Sequence, residues 1–92
     1  MLLSFRCEET RALHEGYGSR RFRNIEDQAR KRLRWLHAAT SLADLGAIRG
    51  NRLEALKGER AGQHSIRINE QWRICFEWRD GNAHAVEIVD YH

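Results

Sequence analysis

Ninety-two residues with 41% hydrophobic content make one small domain spanning residues 1–92, with no room for a second core. Sixteen Lys and Arg against 13 Asp and Glu leave a net charge of +3, a surplus that matters by its distribution more than its size. No stretch approaches the ~20 apolar residues of a membrane span, and Met1–Phe5 is too short for a secretory signal, so the expected site is the cytoplasm with no membrane partner.

Cys7 and Cys75 lie far apart, outside any Cys-x-x-Cys or Cys/His pattern, and the five histidines show no short metal spacing. Two reduced packing cysteines, no metal site and no cofactor are expected.

In chain order, Met1–Phe5 is apolar enough for a short strand. Glu8 and Glu9 complement a helix N-terminus, and Gly16 or Gly18 would stop that helix. The Arg20–Arg23 cluster reads as a loop, and Asn24 as an N-cap with Asp27 three residues on. Ile25, Ala29, Leu33 and Leu36 then repeat at helical spacing through Ala39. Ser41 to Asp44 repeats the cap pattern for one more short turn, ended by Gly46. After Gly50 the period changes to two: Arg52–Leu56, Gln63–Ile68 and Trp72–Trp78 read as strands, with Asn69-Glu70 a tight connection. Asp80-Gly81-Asn82 is the strongest hairpin turn, returning the chain along Ala83–His92. Helices first and strands afterwards predict an α+β fold, with N-terminal helices on one face of a mainly antiparallel small sheet.

Charge is unevenly placed. Arg20, Arg21, Arg23, Arg30, Lys31, Arg32 and Arg34 make seven of the 16 basic residues, with Glu26 and Asp27 only at the start of the helix. The stripe suits a polyphosphate or an acidic protein, or is simply a solvated helix face.

Strand parity selects a second group. If Trp72, Ile74, Phe76 and Trp78 face the helices, Arg73, Cys75 and Glu77 face the other way. Ile66 and Ile68 then point inward and Arg67 outward; Glu54 alternates away from Leu53 and Ala55. In the last strand Val86, Ile88 and Asp90 share one parity, and Glu87, Val89 and Tyr91 the other. An open face with Arg67, Arg73, Glu54 and Tyr91, closed by His92 and anchored by Asp90, suits phosphodiester cleavage in RNA. That reaction needs a base for the 2′-hydroxyl proton, cations for the phosphorane and an acid for the leaving oxygen. Arg73 and Arg67 would hold the phosphate; His92, Glu54 and Asp90 would carry protons; Tyr91 would donate a proton or stack on a base. The plain alternative is exposed-strand arginines paired with Glu54, and a packed Tyr91.

The blocks N-R-L-E-A-L-K-G at Asn51–Gly58, G-Q-H-S-I-R-I-N at Gly62–Asn69, Q-W-R-I-C-F at Gln71–Phe76 and V-E-I-V-D-Y-H at Val86–His92 resemble the HigB toxins. Leu3-Ser4-Phe5 matches as well, and the resemblance runs the length of the chain. HigB toxins belong to the RelE-like superfamily of type II toxin–antitoxin systems. The resemblance implies a RelE-like fold and a metal-independent endoribonuclease that cuts messenger RNA in the ribosomal A site. It also implies a HigA-type helix-turn-helix antitoxin as partner, with operator DNA met only through that complex. Carried over to this sequence, Arg73 would stabilise the scissile phosphate, with Arg67, Lys57 and Arg60 adding positive charge. Asp90, Tyr91 and His92 would form the terminal catalytic group, and Arg20, Arg30 and Arg34 would dock ribosomal RNA. Many relatives read R-L-H-P-L-K-G where this chain has Glu54. A carboxylate with reference pKa ~4.3 is a weaker base at neutral pH than an imidazole at ~6.5. Slower cleavage, with more of the proton traffic on His92, is expected. The rival reading is a weak or inactive domain of the same fold, serving as an antitoxin and DNA partner or as an RNA-binding module.

Overall fold

The computed structural model describes residues 1–90. Helix α1 (Glu8–His14) starts on its two glutamates and buries Thr10 and Leu13. It ends where Gly16 takes a left-handed φ of 101°, letting Gly16 N–H donate to Leu13 O and Tyr17 N–H to Ala12 O. Helix α2 (Glu26–Ala38) buries Ala29, Leu33 and Leu36, the stripe expected from their spacing. Its start differs from expectation. A 3₁₀ turn over Arg23–Ile25 leads in, Asn24 is not the N-cap, and the Glu26 carboxylate accepts from Ser19 N–H at 3.1 Å. Helix α3 (Leu42–Gly46) has the expected cap: Ser41 Oγ accepts from Asp44 N–H. Asp44 in turn accepts from the N–H and hydroxyl of Thr40, which holds its carboxyl below the ordinary range.

Strands β1 (Glu54–Ala55), β2 (Gln63–Arg67), β3 (Trp72–Arg79) and β4 (Asn82–Asp90) form an antiparallel sheet in the order of the chain. β1 is only two residues, because Arg52 sits at φ 46° and breaks the extended run expected from position 52. Asn69 Oδ1 fixes the β2–β3 connection by accepting from the N–H groups of Gln71 and Trp72, both at 2.8 Å. Asp80 and Gly81 both take positive φ, the mirror-image two-residue turn that matches strand twist.

The last strand is not a plain alternation. Cys75 pairs with Glu87 but Glu77 pairs with His84, so one extra residue sits in β4, at Ala85 with φ 52°. This bulge resets the parity: Ala83 faces the helices before it, and Val86 and Ile88 after it, all three buried. The opening residues make no regular strand. Leu2 and Phe5 form isolated parallel bridges to Ala83 and Val86, and Thr10 Oγ1 accepts from Ile88 N–H, which covers the outer edge of β4.

The core lies between the helices and one sheet face: Leu13, Phe22, Leu33, Leu36 and Leu45 pack on Ile66, Ile74, Phe76, Val86 and Ile88. Helices on one face of an antiparallel sheet give the α+β architecture expected from the sequence. Among the described residues, no helix is long and apolar enough to cross a membrane.

Candidate active site

The opposite face of the sheet carries two rows of side chains. In the first, the register runs Glu54–Ser65–Cys75–Glu87 across all four strands. In the second, Arg67 pairs with Arg73 and Arg73 with Val89. Parity in β2 and β3 therefore places Arg67, Arg73 and Glu54 together, as the sequence reading expects.

Arg73 is the best-fixed group of the face. It is only 9% exposed. Its Nε donates to Ser65 Oγ at 2.8 Å, and Nη2 donates to Arg52 O at 2.7 Å and to Ser65 O at 3.4 Å. A buried guanidinium needs such acceptors to offset desolvation, and the planar fork is thereby held in one orientation. Arg67 is half-buried beside it. The Arg67 carbonyl accepts from Arg32 Nε at 2.6 Å, which draws a further cation from α2 to the end of the sheet. Partial burial and the nearby Arg67 charge lower the Arg32 pKa.

Cys75 lies in the first row, fully buried, as one of two free cysteines. Burial raises its pKa, against opposing fields from Arg60 and Arg73 and with added push from Glu87 and Glu54. The thiol stays protonated at neutral pH, which leaves it a packing group rather than a nucleophile. Those four charges also show how closely the face gathers its ionic groups.

The remaining candidate residues divide. Arg60 reaches over the face, but its Nη1 donates to Glu87 at 2.9 Å and to Gln63 Oε1 at 3.0 Å. The Glu87 bond raises its pKa, so Arg60 neutralises a carboxylate of the face before it serves any phosphate. Lys57 is exposed, lining with Glu54, Ala55 and Leu56 a shallow cleft of about 290 Å³ along the β1 edge. Asp90 pairs with Trp72 on the helix-side parity, and its Oδ2 accepts from Gln71 Nε2 at 3.1 Å. Tyr91 and His92 lie outside the described residues.

The basic stripe is less uniform than its sequence. Arg20 and Arg34 are exposed. Arg30 instead donates from Nε to Leu13 O at 3.0 Å and from Nη2 to Tyr17 O at 2.7 Å, with Glu26 3.6 Å away. It fastens α2 to the end of α1 and is not a freely presented cation.

Three residues of the face escaped the sequence reading. Ser65 shares parity with Arg67, so counting by twos would have found it, whereas Arg52 joins through its backbone carbonyl at a φ of 46° that breaks the extended run. Arg32 carried no such signal, since its role depends on how α2 crosses the sheet.

The chain thus sets helices on one side of an antiparallel sheet and leaves an arginine-centred face open. The YoeB–YefM complex from Staphylococcus aureus contains a chain with the same fold, at a TM-score of 0.57 and 19% identity, covering 100% of this chain and 98% of that one. Residues 10–92 match the profile of the RelE-like toxin of type II toxin–antitoxin system HigB, and the chain belongs to that HigB-like toxin family. Toxin HigB-1 of Vibrio cholerae serotype O1 is 43% identical over 60 residues, 65% of this chain and 63% of that protein. Endoribonuclease HigB of Proteus vulgaris is 35% identical over 66 residues, 72% of this chain and 71% of that protein. The first match thus spans just under two thirds of its relative's length.

Proposed function

We propose that the protein is the toxin of a type II toxin–antitoxin pair and acts as a metal-independent endoribonuclease on translated messenger RNA. One observation carries this reading: Arg73, buried and held by Ser65 and Arg52, beside Arg67 on the open face. A preorganised guanidinium stabilises charge that develops on a phosphorane without reorganising at the moment of reaction. The 2′-oxygen attacks phosphorus, a P–O2′ bond forms and the P–O5′ bond breaks. One base takes the 2′-hydroxyl proton and one acid protonates the leaving 5′-oxygen, giving a 2′,3′-cyclic phosphate and a 5′-hydroxyl. Glu54 and His92 are the proposed proton carriers and Tyr91 the donor or stacking group, while Asp90, on the helix-side parity and bonded to Gln71, is the proposed anchor of the chain end. Arg67, Lys57 and Arg60 supply surrounding charge, and Arg20 and Arg34 are the proposed contacts to ribosomal RNA. Arg30, committed to α1, has no such part. A cytoplasmic HigA-type helix-turn-helix antitoxin would neutralise the toxin and carry the pair to operator DNA.

The test is to map cleavage sites on translated and on free RNA with wild type, Arg73→Ala and a chain lacking Tyr91 and His92. Cuts confined to translated RNA, and lost in both variants, are expected. Growth arrest that persists in both variants defeats the nuclease reading.

A further inference from the structure

We propose that Glu87 is a positioning residue for cleavage: acting through Arg60, it straps the loop between β1 and β2 across the sheet and so holds Lys57 at the edge of the site. The inference rests on the nuclease reading above and adds to it a residue that acts without touching RNA.

The middle of the sheet face is roofed. Ser65 and Cys75 point to the side that no helix covers, yet both are fully buried. Arg73 lies on Ser65 through its 2.8 Å bond. A second guanidinium crosses on the far side of Cys75. Arg60 Nη1 donates to Gln63 Oε1 on β2 at 3.0 Å and to Glu87 Oε1 on β4 at 2.9 Å. Those strands flank β3, with roughly 10 Å between their backbones, so the Arg60 head spans β3 beside the Cys75–Glu87 pair.

Glu87 needs a reason to stand there. A carboxylate on a face that meets RNA repels the phosphates it should attract. Its side chain is also only 17% exposed, which is costly for a charge without a cation. Arg60 is that cation, and it comes from a loop with little order of its own. The loop is a single 3₁₀ turn over Gly58–Arg60, bounded by Gly58 at φ 65° and Gly62 at φ 92°. Glycine backbones resist displacement least, so a side-chain anchor decides where the turn lies. Within the turn Arg60 N–H donates to Lys57 O at 3.3 Å. Fixing Arg60 on Glu87 therefore fixes the backbone of Lys57, which lines the β1-edge cleft with Glu54.

Cleavage kinetics on programmed ribosomes separate this role from plain charge. By electrostatics alone, removing a carboxylate from the face tightens RNA binding and leaves the rate unchanged or higher. Glu87→Ala is expected instead to lower kcat about tenfold with KM no higher, as loss of a positioning contact does. Glu87→Gln keeps an acceptor for Arg60 and the packing; it should show a smaller drop of the same kind, and it carries the test where the alanine variant does not fold. In a Lys57→Ala background either substitution should cost almost nothing further, because the group it positions is gone. A kcat at or above wild type in both Glu87 variants would overturn the proposal. So would a loss that repeats in full in the Lys57→Ala background, which marks general damage to the fold. Failure of the nuclease reading looks different, because Arg73→Ala would then cut as wild type does.

Discussion

In the proposed site, the one planar group of Arg73 does two jobs: it bonds Ser65 and Arg52 on the protein side and would present its remaining edge to the phosphate. Lysine offers a point charge and no fork. Arg73→Lys is expected to lower cleavage on programmed ribosomes by roughly 10²-fold, as loss of a preorganised donor does. Near-wild-type rates in a folded variant would show that charge alone suffices. Glu54 raises the opposite case. It stands in the row with Ser65, Cys75 and Glu87, where an imidazole would titrate nearer to neutral pH. Glu54→His is expected to raise the cleavage rate about tenfold at neutral pH, in line with better-matched general base catalysis. An unchanged rate would remove position 54 from the proton path. Much of this site was legible in the sequence because side-chain parity is geometric: once Trp72 and Ile74 face inward, Arg73 must face out. The role of Arg30 was not legible. A run of arginines records charge, and nothing in it says which guanidinium will be spent on the carbonyls of Leu13 and Tyr17.

Among the elements, β4 departs most from its sequence pattern. Alternation assumes one residue per half-period, and the bulge at Ala85 inserts one more without any Gly or Asn to announce it. The Asp80-Gly81 turn, by contrast, was readable because both residues tolerate the positive φ it demands. The bulge has a purpose in packing. It keeps Ala83 and Val86 on the same buried face, and so lets both the turn end and the site end of β4 contribute to the core. Alanine at φ 52° pays a steric cost that glycine avoids. Ala85→Gly is therefore expected to stabilise the fold by about 1 kcal/mol. Deleting Ala85 should leave the core side chains in place, since Ala83, His84 and Val86 then alternate in regular register with Trp78, Glu77 and Phe76, and Val86 and Ile88 stay on the buried face. Urea titration reads both; a lower midpoint for Ala85→Gly would mean that the methyl is needed where it sits.

At the scale of the molecule, helices followed by strands foretold the architecture, yet the joining of the N-terminal segment to the rest had no sequence signature. That joint is built from histidines. His37 Nδ1, on α2, accepts from Leu2 N–H at 3.1 Å, and the His37 ring lies 5.7 Å from that of His14 on α1. His14 in turn meets Phe5 at 5.6 Å, and Arg11 lies over the same Phe5 ring. Burial first, and then the charge on His37, push the His14 pKa below its ordinary value of 6.5, with Glu15 opposing weakly. A base whose folded pKa is lowered binds fewer protons folded than unfolded, so stability rises with pH across that interval. This contribution is complete above the unfolded value and fades as pH falls through it toward the folded one. The carboxyl of Asp44, held low by Thr40, keeps its own contribution until far more acid conditions and does not confuse the window. The urea midpoint is therefore expected to fall as pH drops below about 6.5, and His14→Gln should flatten that fall. Amide exchange should rise first at Leu3, Arg6 and Val86, whose N–H groups bond across the N-terminal joint, while the hairpin of β3 and β4 stays protected. A midpoint that is flat, or that rises on acidification, would show that the two histidines do not hold the N-terminal segment against the sheet.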